Sequence, residues 1–193
     1  MDQKKILIAG FLALLLVILV VIFFTSGGNE KIKQSRELTP PELKTQPEVP
    51  GEKKKIALFF LSEDDDLLHP EERDIQAKAS TEEEASEAIE ELIKGSQSAL
   101  VSPLPPETKL RQIFLTKEGM AYVDFSKEIQ DKSLSGSEAE MAAVYSIVNS
   151  LTYNFKSIKK VLILVDGEEA ETLAGHINLS KPFAPDYSLI AQE

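Results

Sequence analysis

The chain contains no cysteine. This absence excludes disulfide bonds, thiol nucleophiles, thiolate metal sites and a lipid-modified cysteine, and it leaves the redox compartment open. Histidine is scarce, since the sequence holds only His69 and His176. The glycines form no phosphate-binding loop, and no metal-ligand spacing occurs. These absences favour a binding or assembly module over an enzyme.

Basic residues are outnumbered, and the formal net charge of the 193 residues is -11. The excess of acidic residues lies after residue 55, in the part of the chain with the periodic apolar patterns. A folded body this acidic repels phosphate backbones and anionic lipid surfaces, so nucleic acid is not an expected partner. The length suits one domain with accessory segments.

Residues 6–24 carry no charged side chain. As a helix they would extend roughly 28 Å at about 1.5 Å per residue, close to the thickness of a bilayer's hydrocarbon core. Lys4 and Lys5 precede the stretch, as expected for a cytoplasmic flank. Residues 1–24 are therefore predicted to be an uncleaved signal anchor that crosses the cytoplasmic membrane once, with the C-terminal domain extracytoplasmic.

A cleaved signal peptide is the alternative interpretation. Such peptides have an apolar core of about 7–15 residues, which is shorter than the stretch here. Thr25-Ser26-Gly27 also offers a poor cleavage site. Residues 25–54 follow as a predicted disordered linker, because they are rich in proline, glycine and charge. A linker of this length typically spans about 30 Å.

Residues 55–193 are predicted to form the folded domain. Lys55 to Leu61 is an apolar run typical of a buried strand. A helix follows, with Thr81 and Glu84, or alternatively Ser80 and Glu83, at capping-box spacing. Gly95 is placed to end that helix.

The second half of the domain begins with a predicted hairpin. Its strands, Leu110–Thr116 and Met120–Ser126, flank a turn at Gly119. Gly136 then precedes Ser137 and Glu140, which are spaced as the capping box of a second helix. Val161 to Val165 reads as a central strand that ends in a turn at Asp166-Gly167.

The predicted order of elements is β-α-β-β-α-β. This order predicts an α+β fold in which two helices cover one face of an antiparallel or mixed sheet. The tail after Pro182 is predicted to be irregular.

Two groups of residues were weighed as chemical sites. Ser137, His176 and Asp166 make a triad on paper, but Ser137 is explained as a helix cap and no nucleophile elbow surrounds it. Asp64, Asp66 and His69, followed by Glu71-Glu72, could gather a cation. That segment lacks the glycine and glutamate of an EF-hand, so a solvated acidic loop is favoured. No catalytic residue, metal or cofactor is expected.

A surface around the second hairpin strand is the candidate interaction site. Ala121, Val123 and Phe125 are predicted to point inward, whereas Tyr122 and Asp124 point outward. The candidate interaction surface comprises Tyr122, Asp124, Ser126, Asp166 and His176. Other envelope proteins, or a second copy, are the expected partners. The competing hypothesis is a ligand-binding or enzymatic domain for cell-wall material, which requires Asp124, Asp166 and His176 to converge in one pocket.

From about Leu92 to Pro182 the sequence resembles the GerMN domain family of bacterial sporulation and spore-germination proteins. The resemblance is carried by an ordered series of segments: Gly95, Leu100, Pro105-Pro106-Glu107-Thr108, Glu118 to Ser126, Gly136-Ser137 with Glu140, Ile147 to Leu151, Val165-Asp166-Gly167, Gly175-His176-Ile177 and Pro182. It departs from the family pattern at Ser96, where proline is frequent, at Ser150, where threonine is common, and in having one copy of the domain.

The resemblance implies a domain of the bacterial cell envelope. It implies attachment to the outer face of the cytoplasmic membrane or export, and kinship with ring-building folds that assemble into trans-envelope complexes. It implies no known catalysis. Since the lipidated cysteine of related proteins is missing, the uncleaved helix would replace that anchor.

Overall fold

The computed structural model describes residues 51–131 and 136–192. The predicted anchor and nearly all of the predicted linker lie outside these residues. Among the helices that the structure describes, none is both long enough and apolar enough to cross a bilayer.

Two sheets and two long helices make up the described domain. In chain order its elements are β1 (Lys53–Leu61), β2 (Leu68–Gln76), α1 (Thr81–Ile93), β3 (Leu110–Leu115), β4 (Met120–Phe125), a 3-10 turn (Lys127–Gln130), α2 (Ser137–Asn154), β5 (Lys160–Val165), β6 (Glu168–Glu169) and a 3-10 turn (Tyr187–Leu189). β1 and β2 form an antiparallel pair, and the larger sheet has the order β3-β4-β5-β6. Only β4 and β5 run parallel in that sheet.

The predicted fold class, α+β with a mixed sheet and two helices, is confirmed. The structure adds the strands β2 and β6 to the predicted order. The acidic segment from Asp64 to Glu72 was expected to be a solvated loop, and this was wrong for its second half, which belongs to β2. The strand buries Leu68, Arg73 and Ile75 and leaves most of its remaining charges exposed. Pro70 fits because β2 pairs only with β1 in its sheet, so the strand tolerates a missing donor.

The start of α1 follows the alternative capping frame. The Oγ atom of Ser80 accepts a hydrogen bond from the Glu83 amide at 3.2 Å, so Ser80 rather than Thr81 is the N-cap. Glu84 is instead drawn to the Lys54 ammonium, 2.6 Å away. The apolar face of α1 is buried and consists of Ala85, Ala88, Ile89 and Leu92.

The predicted capping box of α2 is wrong. Gly136 occupies the N-cap position with φ 111°, and no side-chain hydrogen bond caps the helix there. Ser137 is exposed, and Glu140 turns inward and is fully buried. Inward-facing partners thus outcompete the local backbone for the Glu140 carboxylate.

One continuous core joins the helices to the inner face of the larger sheet. On β4 the side chains of Ala121, Val123 and Phe125 are fully buried, which confirms the predicted alternation. Ile147 and Leu151 of α2 belong to the same buried cluster. Burying these apolar side chains removes them from water and supplies the main stabilisation of the domain.

A polar stripe on α2 closes the second edge of β1. Ser146 donates to the Phe59 carbonyl at 2.5 Å, and Ser150 accepts from the Phe59 amide at 3.1 Å. One turn further on, Asn154 accepts from the Ala57 amide at 2.9 Å and donates to its carbonyl at 2.6 Å. The helix therefore takes the place that a third strand would have beside β1, and these side chains satisfy its backbone.

The tail after Pro182 is mostly irregular, as predicted, and hydrogen bonds hold it against the rest of the domain. Phe183 exchanges two backbone hydrogen bonds with Val161 of β5, at 2.9 and 2.7 Å. The buried Asn149 side chain bonds both the amide and the carbonyl of Asp186, at 3.1 and 2.8 Å. The tail ends against β2, where the Ala191 amide donates to the Leu68 carbonyl.

Asn154→Ala is expected to destabilise the domain by roughly 2 kcal/mol, because the Ala57 amide and carbonyl both lose their partner. Chemical denaturation measures the change as a shift in the unfolding midpoint. Ser157→Ala, at an exposed position three residues away, is the control and should leave the midpoint in place. Equal midpoints for the two variants would contradict the role of this stripe.

Candidate functional site

The outer face of the larger sheet carries an apolar row, in which Phe114 is exposed, Tyr122 is partly exposed and Leu162 is buried. Phe114, Tyr122 and Leu162 lie side by side across β3, β4 and β5 in the strand register. The Phe114 side chain is 55% exposed, and its ring lies 6.3 Å from that of Tyr122. These three residues are outside the buried core cluster, which lies on the opposite side of the sheet. We use the name outer face for this row together with the charged residues Arg111, Asp124 and Asp166 beside it.

A charged group lies at the end of the strands beside this row. The Arg111 guanidinium reaches Asp124 of β4 at 3.5 Å and Asp166, after β5, at 3.0 Å. The structure thus brings together two of the predicted site residues through an arginine that sequence reasoning did not single out. Arg111 is nearly half exposed, so water screens these ion pairs and they contribute orientation more than stability.

The turn between β5 and β6 explains how Asp166 reaches its place. Asp166 and Gly167 both have positive φ, 51° and 84°, which is the backbone of a two-residue hairpin turn with an Asp-Gly sequence. The Gly167 amide donates to the Asp124 carboxylate at 2.8 Å. Asp124 therefore holds the turn in place from the neighbouring strand.

Ser126 directly follows β4 and forms hydrogen bonds with the backbone on the β3 side of the hairpin. Its hydroxyl accepts a hydrogen bond from the Lys109 amide at 3.0 Å, and its own amide donates to the Lys109 carbonyl at 2.9 Å. These two bonds close the β3–β4 hairpin at its open end. Gly119 closes the other end, where its amide donates to the Thr116 carbonyl.

His176 belongs to a different set of contacts. Its Nδ1 atom lies 2.6 Å from the Glu140 carboxylate, which also accepts hydrogen bonds from the amides of His176 and Ile177. The His176 side chain is 51% exposed, whereas that of Glu140 is completely buried. Glu140 therefore anchors the loop after β6 to the first turn of α2.

The hydrogen bonds around Glu140 control its ionisation. Burial works to raise the pKa of the Glu140 carboxyl, but hydrogen bonds from the amides of Ile177, Ala174 and His176 and from the His176 ring outweigh it, and the pKa is lowered. A buried carboxylate with several donors stays ionised at neutral pH.

The contacts assemble neither the Ser137, His176 and Asp166 triad that was set aside in the sequence analysis nor the common pocket that the competing hypothesis requires. Asp166 is paired with Arg111, His176 is paired with Glu140, and Ser137 is exposed at the start of α2. Asp124 joins Asp166 but not His176 in the described contacts. A site that needs all three polar groups is therefore not supported by this arrangement.

The acidic segment between β1 and β2 is held by internal pairing. His69 contacts the Asp65 carboxylate at 2.9 Å, while Asp66 adopts a positive φ of 55° in the turn. The Asp64 amide donates to Ser62. Within residues 51–131 and 136–192, no three histidine or acidic side chains gather as a metal site requires.

Glu71 of β2 is held in a hydrogen-bond network that no local sequence pattern indicates. Its carboxylate pairs with the buried Arg73 and accepts hydrogen bonds from Ser96, Ser98 and the Gln97 amide. Burial works to raise the pKa of Glu71, but the hydrogen bonds from the two serines, the Gln97 amide and Arg73 lower it to about 2. The charge run therefore fastens β2 to the end of α1.

Three residues of the outer face were not singled out from the sequence, namely Arg111, Phe114 and Leu162. A signal for Phe114 did exist. Successive side chains on a strand point to opposite faces, so Phe114 must lie on the face opposite to both Ile113 and Leu115. The hairpin turn at Gly119 also fixes the register that sets Phe114 beside Tyr122.

With this geometry established, the chain can be compared with known proteins. A protein-family profile described as "Germane: Sporulation and spore germination" matches residues 57–171. The chain belongs to the Germane family. The resemblance to GerMN domains that the sequence motifs indicated is thereby confirmed, and the family is named for sporulation and germination rather than for a catalytic activity.

Solved structures share the fold of the Germane domain. The "Putative Lipoprotein from Clostridium perfringens" is 27% identical with a TM-score of 0.51, over 70% of this chain and 89% of that one. The first GerMN domain of the sporulation protein GerM from Bacillus subtilis is 24% identical with a TM-score of 0.51, over 69% of this chain and 96% of that one.

The tandem GerMN domains of the same Bacillus subtilis protein are 23% identical, with a TM-score of 0.56. The match covers 69% of this chain but 46% of the tandem structure, so this chain spans about half of it. A single GerMN-like domain accounts for that share. A search among curated proteins found no match.

Glu140→Gln is expected to cost the Germane domain about 2 kcal/mol of stability at pH 7, because an amide cannot satisfy the donors around the carboxylate. The pKa of Glu140 is lowered on folding, so its contribution is present above the unfolded pKa of about 4.3 and is lost as the pH falls through the folded pKa. Urea unfolding of both proteins at a series of pH values measures the difference.

The difference in the free energy of unfolding between the wild type and Glu140→Gln should therefore become smaller at acidic pH. Glu138→Gln removes an exposed charge from the same helical turn and serves as the control. A gap for Glu140→Gln that is constant from pH 7 down to pH 3 would show that the ionised carboxylate is not the source of the stability.

Proposed function

We propose that the Germane domain is a non-catalytic binding or assembly module of the cell envelope, and that it contacts another envelope protein, or a second copy, through the outer face. The observation that carries the proposal is the exposed part of the apolar row, where the ring of Phe114 lies beside that of Tyr122. Both side chains are outside the buried core cluster on the other side of the sheet.

The composition of the outer face suits a protein partner. Aromatic residues and arginine are enriched where proteins bind one another, and charged residues commonly form a rim around an apolar centre. Here Phe114 and Tyr122 form the centre, and Arg111 with Asp124 and Asp166 forms a charged border on one side. The pairing of these charges keeps the border fixed in orientation before a partner arrives.

The envelope location is supported by the sequence and by relatives. Residues 6–24 have the length and composition of a signal anchor, which would hold the domain outside the cytoplasmic membrane. A related Clostridium perfringens protein is described as a lipoprotein, and GerM is described as a sporulation protein. In this chain, which has no cysteine, the apolar stretch takes over the role of a lipid anchor.

A photo-crosslinking amino acid placed at Phe114 or Tyr122 of the full-length chain should give specific adducts in cells of the source organism. Tyr187 is exposed to 42% on a different element and provides the control position. The double substitution Phe114→Ser with Tyr122→Ser should abolish the adducts formed from a second nearby probe at Gln112, because hot-spot aromatics each account for tenfold or larger losses in affinity.

Phe114 is more than half exposed, so the double variant is expected to keep its fold, as circular dichroism can verify. Adducts at Tyr187 that equal those at Phe114 would overturn the assignment of this face. Unchanged adduct yield from Gln112 in the double variant would do the same.

A further inference from the structure

A group of lysines at one end of the domain has no acidic partner. Lys53, Lys54, Lys55, Lys78 and Lys94 each lie within 4 Å of a carboxylate. Lys117, Lys156, Lys159 and Lys160 are all exposed, and none of them makes an ion pair in the part of the chain that the structure describes. Lys109, Lys127 and Lys181 also make no ion pair among the described residues, so the former four lysines are distinguished by their position around one turn and one neighbouring loop. We call these four residues the lysine patch.

The fold brings the lysine patch together through Gly119. The Gly119 carbonyl accepts hydrogen bonds from the amides of Lys159 and Lys160, at 2.8 and 3.3 Å. Gly119 has φ 91°, and a Cβ atom there would lie 2.7 Å from the Ser157 carbonyl oxygen, so only glycine permits this approach. The turn that carries Lys117 is thereby packed onto the loop from residue 156 to residue 160.

The start of β1 lies at the same end of the domain. Lys54, near the start of β1, places its ammonium 4.9 Å from the ring centroid of Phe155, the residue before Lys156. The predicted linker therefore enters the domain beside the lysine patch. A linker with a typical span of about 30 Å keeps this end close to the membrane that holds the anchor.

An exposed aromatic residue accompanies the lysines. Tyr153 is 49% exposed, and the Lys156 ammonium lies 5.6 Å from its ring centroid. Tyrosine and lysine are both favoured where a protein meets the head groups of a bilayer, since each has an apolar body and a polar end.

From these contacts we propose that the lysine patch and Tyr153 bind anionic lipid head groups of the membrane to which the chain is tethered. The proposal rests on the membrane anchor of the proposed function. The body of the domain is acidic and is repelled by anionic lipid, so the lysine patch determines which end approaches the bilayer. An acidic protein offers the same charge, but the entry of the tether beside the lysine patch favours lipid.

This orientation is consistent with use of the outer face. β4 and β5 are parallel and both start at the lysine patch, near Met120 and Lys160. Their other ends carry the Arg111, Asp124 and Asp166 group. With the lysine patch on the lipid, the strands lead away from the membrane and the apolar row stays open to a partner.

The full-length chain, which has no native cysteine, allows a direct test. Ser157→Cys within the lysine patch and Glu168→Cys at the opposite end of β5 each receive an environment-sensitive fluorophore. The labelled chains are reconstituted into neutral phosphatidylcholine vesicles or into vesicles with added phosphatidylglycerol, both containing head-group nitroxide quencher. Quenching at residue 157 is expected to exceed that at residue 168 severalfold, in anionic vesicles only.

Two charge-matched variants identify the source of the contact. Lys159→Gln with Lys160→Gln should reduce the quenching at residue 157, because each lysine near an anionic surface strengthens association about fivefold. Lys109→Gln with Lys127→Gln removes the same charge from two exposed lysines near the opposite end of β4, which make no ion pair among the described residues, and should leave the quenching unchanged. High salt should act like the first variant.

The experiment distinguishes failure of the anchor proposal from failure of the lysine patch proposal. Flotation with neutral vesicles reports the anchor alone. If the chain floats but residue 157 is quenched no more than residue 168 on anionic vesicles, the lysine patch proposal is overturned and the anchor stands. If the chain does not float on neutral vesicles but binds anionic ones through Lys159 and Lys160, the lysine patch is supported without the anchor.

Discussion

The polar stripe on α2 is the interaction on which the rest of this domain depends. A helix does not normally pair with the edge of a strand, yet Ser146, Ser150 and Asn154 satisfy the backbone of β1 at three successive turns. Asn149, on a neighbouring side of the same helix, does the same for the tail at Asp186. Because buried backbone groups need partners, α2 can occupy the centre of the domain only with these side chains in place.

The central position of α2 determines which surfaces remain for function. The helix closes β1, holds the tail and, through Glu140, anchors the loop at His176. The core occupies the inner face of the larger sheet, so the exposed Phe114 and the partly exposed Tyr122 on its outer face are the apolar surface that we propose for a partner.

The sequence predicted the elements better than it predicted their polar contacts. Alternation along β4 correctly placed Val123 inside and Tyr122 outside. This pattern can be read locally, because every second side chain of a strand points to the same face. The predicted role of Glu140 was wrong. Its spacing from Ser137 matches a capping box, but its carboxylate accepts a hydrogen bond from His176, thirty-six residues later in the chain. Asn154, which bonds Ala57 across ninety-seven positions, is equally invisible to local patterns.

Amide hydrogen exchange of the intact chain tests the seam between α2 and β1 most directly. If Ser150 and Asn154 act as a surrogate strand, the amides of Phe59 and Ala57 exchange as slowly as those of β5, which has β4 beside it. Removing the Ser150 hydroxyl as Ser150→Ala should then speed exchange at Phe59 first. Rapid exchange of both amides in the unaltered protein, at the rate of an open strand edge, would contradict the account.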